Sequence, residues 1–403
     1  MTRIKLLVYL IILLSAIPVG AQYYSNYPAL DKPVHYSESY YPDIRFREDQ
    51  TQAAYLLILL NLLSPRDQVK PEHMAPPKDL EAIGLSSRLY RLPQPGEVKF
   101  SLESIRKELG FQSTAYEILP NQLVNDQRDI AKKIHEEPNL QDIAKLATIS
   151  FYHPDPLVRI TAAPLLMVLT GDNKDALEEL RRGTKLKDSQ LSLLAATLLA
   201  RFSPQDSALD QPTGGRQSGP GREEKPNTTI VIHGTWASDQ NWWKNGYPFF
   251  EYMEHDVPLD DLFLGDDPYE WSGSWSHDAR KQAATKLEEW ATQHREDCLN
   301  VVAHSHGGNV GFLASNSVQF GRMIMLSTPA HPHLYNPVNY KSLFSLRVHL
   351  DLVVLADGGG NKFPDWNLLQ EKYLGWFNHS STHSERLWEN KQIPSWLTDN
   401  TCP

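Results

Sequence analysis

The fold that we expect is decided by ten residues, Leu299-Asn300-Val301-Val302-Ala303-His304-Ser305-His306-Gly307-Gly308. The first four are typical of a buried strand, and residues 309–315 continue as a helix. Ser305 therefore stands at a sharp turn from strand to helix. The residues two before and two after it, Ala303 and Gly307, are both small, as a tight turn requires if the strand and the helix are to approach each other.

Outward from this turn, three more segments are typical of buried strands, and each ends in polar residues. They are 228–232, which ends in His233-Gly234-Thr235-Trp236, 323–326, which ends in Ser327-Thr328-Pro329, and 346–350, which ends in Asp351. Residues 278–296 carry apolar side chains on one helical face, which predicts a helix that covers a sheet. Strands that alternate with helices in this way predict an α/β domain with a mostly parallel sheet.

The strand, the turn with Ser305 and the following helix resemble the nucleophile elbow of the α/β-hydrolase fold. The resemblance covers roughly residues 227–400, with Ala303 where the family usually has glycine. It implies that Ser305 is the nucleophile and that the backbone N–H of His306 faces the developing oxyanion. The second oxyanion donor implied is the backbone N–H of Thr235, with that of Trp236 as the alternative.

The resemblance also implies a catalytic triad in the chain order serine, acid, histidine. Asp351 is the preferred acid because it follows a strand, and Asp357, before three glycines, is the alternative. His383 is the preferred base because it directly precedes the segment that we interpret as the terminal helix. His379 is the alternative base.

These residues predict a serine hydrolase of the esterase or lipase type that cleaves a small-molecule or lipid ester through an acyl-enzyme and needs no cofactor. His331 and His333 lack a cysteine or carboxylate at ligand spacing, so no metal site is expected. The net charge is −10, and residues 251–270 carry eight acidic side chains without a lysine or arginine. A nucleic acid is therefore not an expected partner.

The N-terminus has the pattern of a secretory signal peptide. Arg3 and Lys5 precede about a dozen apolar residues, too few to span a bilayer, and residues 19–21 predict cleavage after Ala21. We therefore expect a secreted or periplasmic protein without a transmembrane segment in the mature chain. In an exported chain, Cys298 and Cys402 are expected either to form one disulfide or to remain two thiols.

The predicted domains are a signal peptide at 1–21, an extended arm at 22–47, a helical domain at 48–204, a flexible linker at 205–226 and the α/β domain at 227–403. Within the helical domain, residues 155–163 and 188–196 align at a spacing of 33 and resemble HEAT repeats. Asp155 is expected to cap a helix with Pro156 at its first position.

Because two copies are fewer than a solenoid usually needs, a small irregular helical domain is the alternative to the HEAT interpretation. The second functional hypothesis gives the helical domain the main role. In that case it recruits a protein partner, and the hydrolase domain is secondary or inactive.

Overall fold

A computed structural model describes most of the chain between residues 49 and 397. The described ranges are 49–64, 74–82, 100–111, 121–171, 174–209, 228–259, 262–265, 267–294 and 298–397. The predicted signal peptide, the predicted arm and most of the predicted linker lie outside these residues. Within the described ranges, the helices are all too short or too polar to cross a membrane.

The centre of the described chain is a five-stranded, all-parallel sheet. Its strands are β1 (Thr229–Ile232), β2 (Leu299–His304), β3 (Phe320–Leu326), β4 (Tyr340–His349) and β5 (Leu369–Trp376). They lie side by side in chain order, and each pairs in parallel with the next. All carboxyl ends therefore lie at one edge, where the predicted site residues follow their strands.

Helices cover both faces of the sheet, which confirms the predicted α/β class. Side chains alternate between the two faces along each strand, as the pleat requires. Val301 and Met325 pack towards α10 (His277–Gln293) and α11 (His306–Ala314). The opposite face packs against α9 (Pro248–Asp256), α13 (Glu385–Asn390) and α14 (Ile393–Trp396).

The region before the sheet is helical, as predicted. Its described helices are α1 (Asp49–Leu63), α2 (Pro77–Ala82), α3 (Leu102–Glu108), α4 (Asn121–Glu136), α5 (Leu140–Phe151), α6 (Pro156–Thr170), α7 (Lys174–Gly183) and α8 (Ser189–Phe202). The side chain of Asp155 accepts the N–H of Leu157 at the start of α6, and Asp188 caps α8 in the same way. The predicted cap of α6 is therefore confirmed, whereas the resemblance to HEAT repeats stays a prediction.

The helical region and the sheet share one apolar core. Leu355, on α12 (Leu352–Asp357), and Trp376 and Phe377, at the end of β5, are buried among the side chains of the preceding helices. Because burying apolar surface is the main favourable term in folding, neither part is expected to be stable with this face exposed.

Polar contacts connect the same two regions. The buried guanidinium of Arg201 on α8 donates to the carbonyl of Ala356, and the Asp79 carboxylate lies 3.0 Å from His349 Nδ1. The predicted linker therefore separates two segments in sequence, while their described parts pack into one body. Cys298, just before β2, is disulfide-bonded, and Cys402 lies outside the described residues.

The turn at Ser305 lies very close to the end of β1. Ser305 has φ 54° and ψ −132°, a strained combination for a residue with a side chain. A Cβ atom on Gly307 would lie 2.5 Å from the carbonyl oxygen of His233 and 2.7 Å from that of Ile232. Both obstacles are backbone atoms, so only glycine fits at the second position after the serine.

We expect Gly307→Ala to destabilise the protein by about 1–3 kcal/mol or more, because overpacking against the backbone forces the turn away from β1. Gly311→Ala, on the same helix, is the matched control, since its Cβ would make an ordinary 3.5 Å contact with Met323. Alanine is also the better helix former there by about 0.5–1 kcal/mol. Urea unfolding measures both, and equal effects on the two variants would contradict the close approach.

Because of the shared core, we expect the two fragments to remain associated when the chain is cleaved within the predicted linker. If a protease site is engineered into the predicted linker, the two fragments should elute together after cleavage, because the apolar core still joins them. Residues 227–403 expressed alone should be insoluble or unfolded. Separation of the fragments, or a stable and monomeric 227–403, would show that the contact between the two regions is dispensable.

Candidate active site

Most of the predicted site residues line one cavity of about 220 Å³ at the carboxyl edge of the sheet, whereas Asp351 and His383 do not line it. Ser305 and His306 reach it from the turn after β2, Thr235 from the end of β1, and His379 from the segment after β5. On the opposite side it is bounded by α8 of the helical region. The cavity thus lies between the predicted nucleophile and the helices that precede the linker.

Ser305 is nearly buried, with 7% of its surface exposed. Its backbone N–H donates to the carbonyl of Leu326 at the end of β3, over 2.8 Å. Although Ser305 occupies the N-cap position of α11, its hydroxyl makes no capping hydrogen bond, which is the usual role of serine there. The strained backbone therefore leaves the hydroxyl available for another role.

Asp351 is fully buried just after β4 and has its carboxylate fixed at both oxygens. Oδ1 accepts the backbone N–H groups of Val353 and Val354, at 3.1 and 3.2 Å, so the carboxylate caps α12. Oδ2 lies 2.8 Å from Nδ1 of His379, which is equally buried. An imidazole held at Nδ1 by a carboxylate keeps its other nitrogen free to accept a proton. His379 Nε2 is buried and has no hydrogen-bond partner among the described residues.

The sequence analysis preferred His383 over His379, whereas Asp351 contacts His379. The two histidines begin and end one 3-10 helix, His379–His383, and both rings lie against the ring of His304, with centroids 4.6 and 4.9 Å from it. The ring of His383 stacks on Trp242, with the centroids 4.7 Å apart and the planes at 10°. Burial, with a smaller contribution from the nearby His379, lowers the pKa of His383 to about 3. His383 is therefore a neutral packing group in this structure.

Asp357, the alternative acid, contacts two other histidines. Its Oδ1 lies 3.1 Å from His306 Nε2 and its Oδ2 lies 2.6 Å from His331 Nε2. We call these three side chains the His306–Asp357–His331 cluster. Burial acts to raise the pKa of Asp357, but the two imidazoles outweigh it and hold that pKa well below its usual range. Asp357 is thus an ionised carboxylate that lines the cavity.

The protonation of His306 follows from its second contact. The side-chain amide of Asn309 donates to Nδ1 of His306 over 2.9 Å, so the ring proton sits on Nε2 and points at Asp357. Burial lowers the pKa of His306 to about 4, and the Arg280 guanidinium adds to the effect. The sequence analysis identified Asp357 and His306 separately, but no local pattern indicated that they are partners.

The structure distinguishes the two candidates, Thr235 and Trp236, for the second backbone N–H donor to the oxyanion. The N–H of Trp236 donates to the carbonyl of Gly273 over 2.9 Å, so that donor is already used. Thr235 lines the cavity and is 7% exposed. Its hydroxyl oxygen is buried without a hydrogen-bond partner among the described residues. Thr235 therefore offers a side-chain donor that the sequence analysis did not anticipate, as well as its backbone.

The helical region supplies one wall of the cavity, which no sequence signal indicated. Its contributing side chains all belong to α8: Ser189, Gln190, Leu193 and Thr197. The side-chain amide of Gln190 donates to Ser380 Oγ over 2.7 Å and so ties the start of α8 to the segment that carries His379. The cavity is therefore closed by residues from both sides of the predicted linker.

Within the described ranges, one group of side chains on α9 could in principle hold a metal ion. Ligand atoms of Glu251, Glu254 and His255 on α9 lie within 4.8 Å of one another. These side chains are half-buried or exposed and are not among those that line the cavity. Exposed acidic groups on one helix turn do not by themselves indicate a metal.

Comparisons of the chain with protein-family models, with curated proteins and with solved structures find no match. The chemistry of the cavity therefore rests on its own geometry.

Proposed function

We propose that the protein is a serine hydrolase that cleaves carboxylic esters, with Ser305 as nucleophile, His379 as base and Asp351 as the residue that orients the base. One observation carries this proposal. A strained serine between a strand and a helix lines the same cavity as a buried histidine whose Nδ1 is held by a buried carboxylate. Nucleophile, base and orienting acid are the three parts that acyl transfer by a hydroxyl requires.

In the first half of the reaction, the Ser305 proton passes to His379 Nε2 while Oγ bonds to the ester carbonyl carbon. The carbonyl electron pair moves onto its oxygen. When the pair returns, the bond between carbon and the alcohol oxygen breaks, and the alcohol takes the proton from His379. Water then repeats both steps on the acyl-serine, which releases the carboxylic acid and restores Ser305.

The developing oxyanion needs hydrogen-bond donors that are in place before the reaction. The backbone N–H of His306, at the N-terminus of α11, and that of Thr235 are the two donors in this proposal. The Thr235 hydroxyl is a third, because it is buried beside the cavity with no partner among the described residues. Removing a single donor of this kind costs about 10²–10³ in kcat in other enzymes.

The other histidines near the cavity support the assignment of His379 as the base, because they are uncharged. Burial lowers the pKa of His304 well below its usual range, that of His306 to about 4 and that of His383 to about 3. All three are therefore neutral near pH 7 and do not repel the proton that His379 accepts. Asp351, in contrast, stabilises the protonated ring. The positive charge that develops during the reaction is thereby confined to one imidazole.

The remaining expectations about export and partners stay predictions. We propose that the chain is exported, on the pattern of residues 1–21, which lie outside the described residues. Recruitment of a protein by the helical region stays the alternative. The packing of α8 over the cavity gives that helix a role that needs no partner.

We expect Ser305→Ala to abolish covalent labelling by a fluorophosphonate probe, because the alanine has no hydroxyl to phosphonylate. Ser189→Ala is the matched control, since Ser189 is an exposed serine on the wall of the same cavity and should leave labelling unchanged. Gel fluorescence after probe treatment reads the result. Full labelling of Ser305→Ala, or loss of labelling in Ser189→Ala alone, would move the nucleophile elsewhere.

The acid and the base are tested by two matched pairs of variants. Asp351→Asn and His379→Ala should each lower kcat by about 10³-fold or more, because His379 carries the proton and Asp351 orients His379 and stabilises its protonated ring. Asp357→Asn and His383→Phe should lower it far less; phenylalanine preserves the stacking on Trp242. Steady-state rates with p-nitrophenyl acetate decide between the pairs. The reverse ranking would return the roles to His383 and Asp357.

A further inference from the structure

We propose that α8 is the specificity wall of the cavity and that it restricts the substrate to esters of short acids whose acyl chain carries a hydrogen-bonding group such as a hydroxyl. This inference rests on the proposed function. The acyl group is the part of the substrate that becomes bonded to Ser305 in the first half of the reaction and stays bonded until water releases it in the second. A cavity built around Ser305 must therefore hold it.

The size of the cavity limits the acyl chain. Its volume of about 220 Å³ is below the roughly 300–1,000 Å³ of pockets that enclose drug-sized ligands. The half-buried side chain of Leu193, on α8, lies on its wall. A long alkyl chain would have to displace α8 or remain in water, and neither outcome contributes to binding.

The helix is held firmly in that position. Asp188 caps its first turn, Gln190 bonds Ser380, and the Arg201 guanidinium at its far end bonds the carbonyl of Ala356. Between these points, Leu194 and Leu198 are buried in the core that the helical region shares with the sheet. Moving α8 outward would break this core, so the cavity is not expected to expand for a larger substrate.

The chemistry of the wall favours a polar acyl group. Thr235 and Asp357 are each at least nine-tenths buried and line the cavity, with Gln190 and Thr197 of α8 beside them. The Thr197 hydroxyl donates to the carbonyl of Leu193 over 2.8 Å, so towards a substrate it can only accept. A buried polar group left without a hydrogen bond costs about 1–3 kcal/mol. If the Thr235 O–H donates to the oxyanion, its oxygen still has lone pairs without a donor among the described residues. An alkyl chain would leave those lone pairs unpaired, whereas a substrate hydroxyl could donate to them.

The carboxylate of Asp357 also influences which acyl groups the cavity accepts. A carboxylate has about four acceptor positions, and the two imidazole N–H groups of His306 and His331 use two of them. The rest can accept a hydrogen bond from a substrate hydroxyl. A negatively charged acyl group, such as a hemisuccinate, would be repelled by the same carboxylate.

The test compares kcat/KM for p-nitrophenyl esters with the full-length protein. The acyl series is acetyl, butyryl, octanoyl and palmitoyl, and the isosteric pair is 3-hydroxybutyryl and 3-methylbutyryl. We expect kcat/KM to fall steeply for acyl chains longer than butyryl. The value for the 3-hydroxybutyryl ester should exceed that for the 3-methylbutyryl ester by about 10-fold. The Leu193→Ala variant should move the optimum towards octanoyl. Leu186→Ala is the matched control, because Leu186 is 36% exposed and precedes α8 without lining the cavity.

Failure of this inference is distinguishable from failure of the proposed function. Labelling of Ser305 by a small fluorophosphonate establishes the nucleophile whatever the acyl preference. If Ser305 is labelled but octanoyl or palmitoyl esters are hydrolysed best, or the methyl compound equals the hydroxyl compound, the inference is wrong and the function stands. If Ser305 is not labelled and no ester is hydrolysed, both are wrong. Should Leu193→Ala fail to fold, the wild-type series alone decides.

Discussion

The parallel pairing of β4 with β5 is the constraint on which the candidate site depends. His349, the last residue of β4, is the register partner of Trp376, the last residue of β5. The pairing continues past the strands, since the N–H of Phe377 donates to the carbonyl of His349 over 2.9 Å. Asp351 lies two residues after the end of β4, and His379 lies three residues after the end of β5. The pairing therefore brings Asp351 Oδ2 to 2.8 Å from His379 Nδ1. A shift of register by one residue would separate Asp351 from His379.

This pairing also explains which parts of the site could be predicted from sequence. The strands β1 to β4 contain apolar or β-branched runs and are buried along most of their length, so these runs predict that the strands exist. The more polar starts of β3 and β4, at Phe320 and Tyr340, lie before the predicted bounds of 323 and 346. β5 is an edge strand whose first five residues are only half-buried, and it carries Gln370, Glu371 and Lys372. Without β5, nothing local marks His379 as a residue that follows a strand. The sequence analysis prefers His383 because it directly precedes the terminal helix, and that local criterion does not register the contact of His379 with Asp351.

The helical region shows the same division between local and long-range signals. The start of α6 was predictable because a capping aspartate and a proline at the first helical position act within one turn. The packing of α8 over the cavity depends on contacts between residues far apart in the chain, such as Gln190 with Ser380 at a separation of 190 residues. Amphipathic periodicity indicates that a helix buries one face, but it does not identify what covers that face.

The shared core has a consequence for biosynthesis. The side-chain amide of Asn61 on α1 bonds the carbonyl of Leu355, 294 residues later, and nearly the whole surface of α1 is buried in the finished protein. At roughly 5–20 residues per second, about 15–60 seconds separate the emergence of these two residues from the ribosome. Throughout that interval, some of the residues that bury α1 in the folded protein have not yet been synthesised. The apolar surface of α1 is then partly exposed, so the nascent chain is expected to depend on chaperones. Since His379 is synthesised later still, the candidate site cannot assemble before that residue has emerged as well.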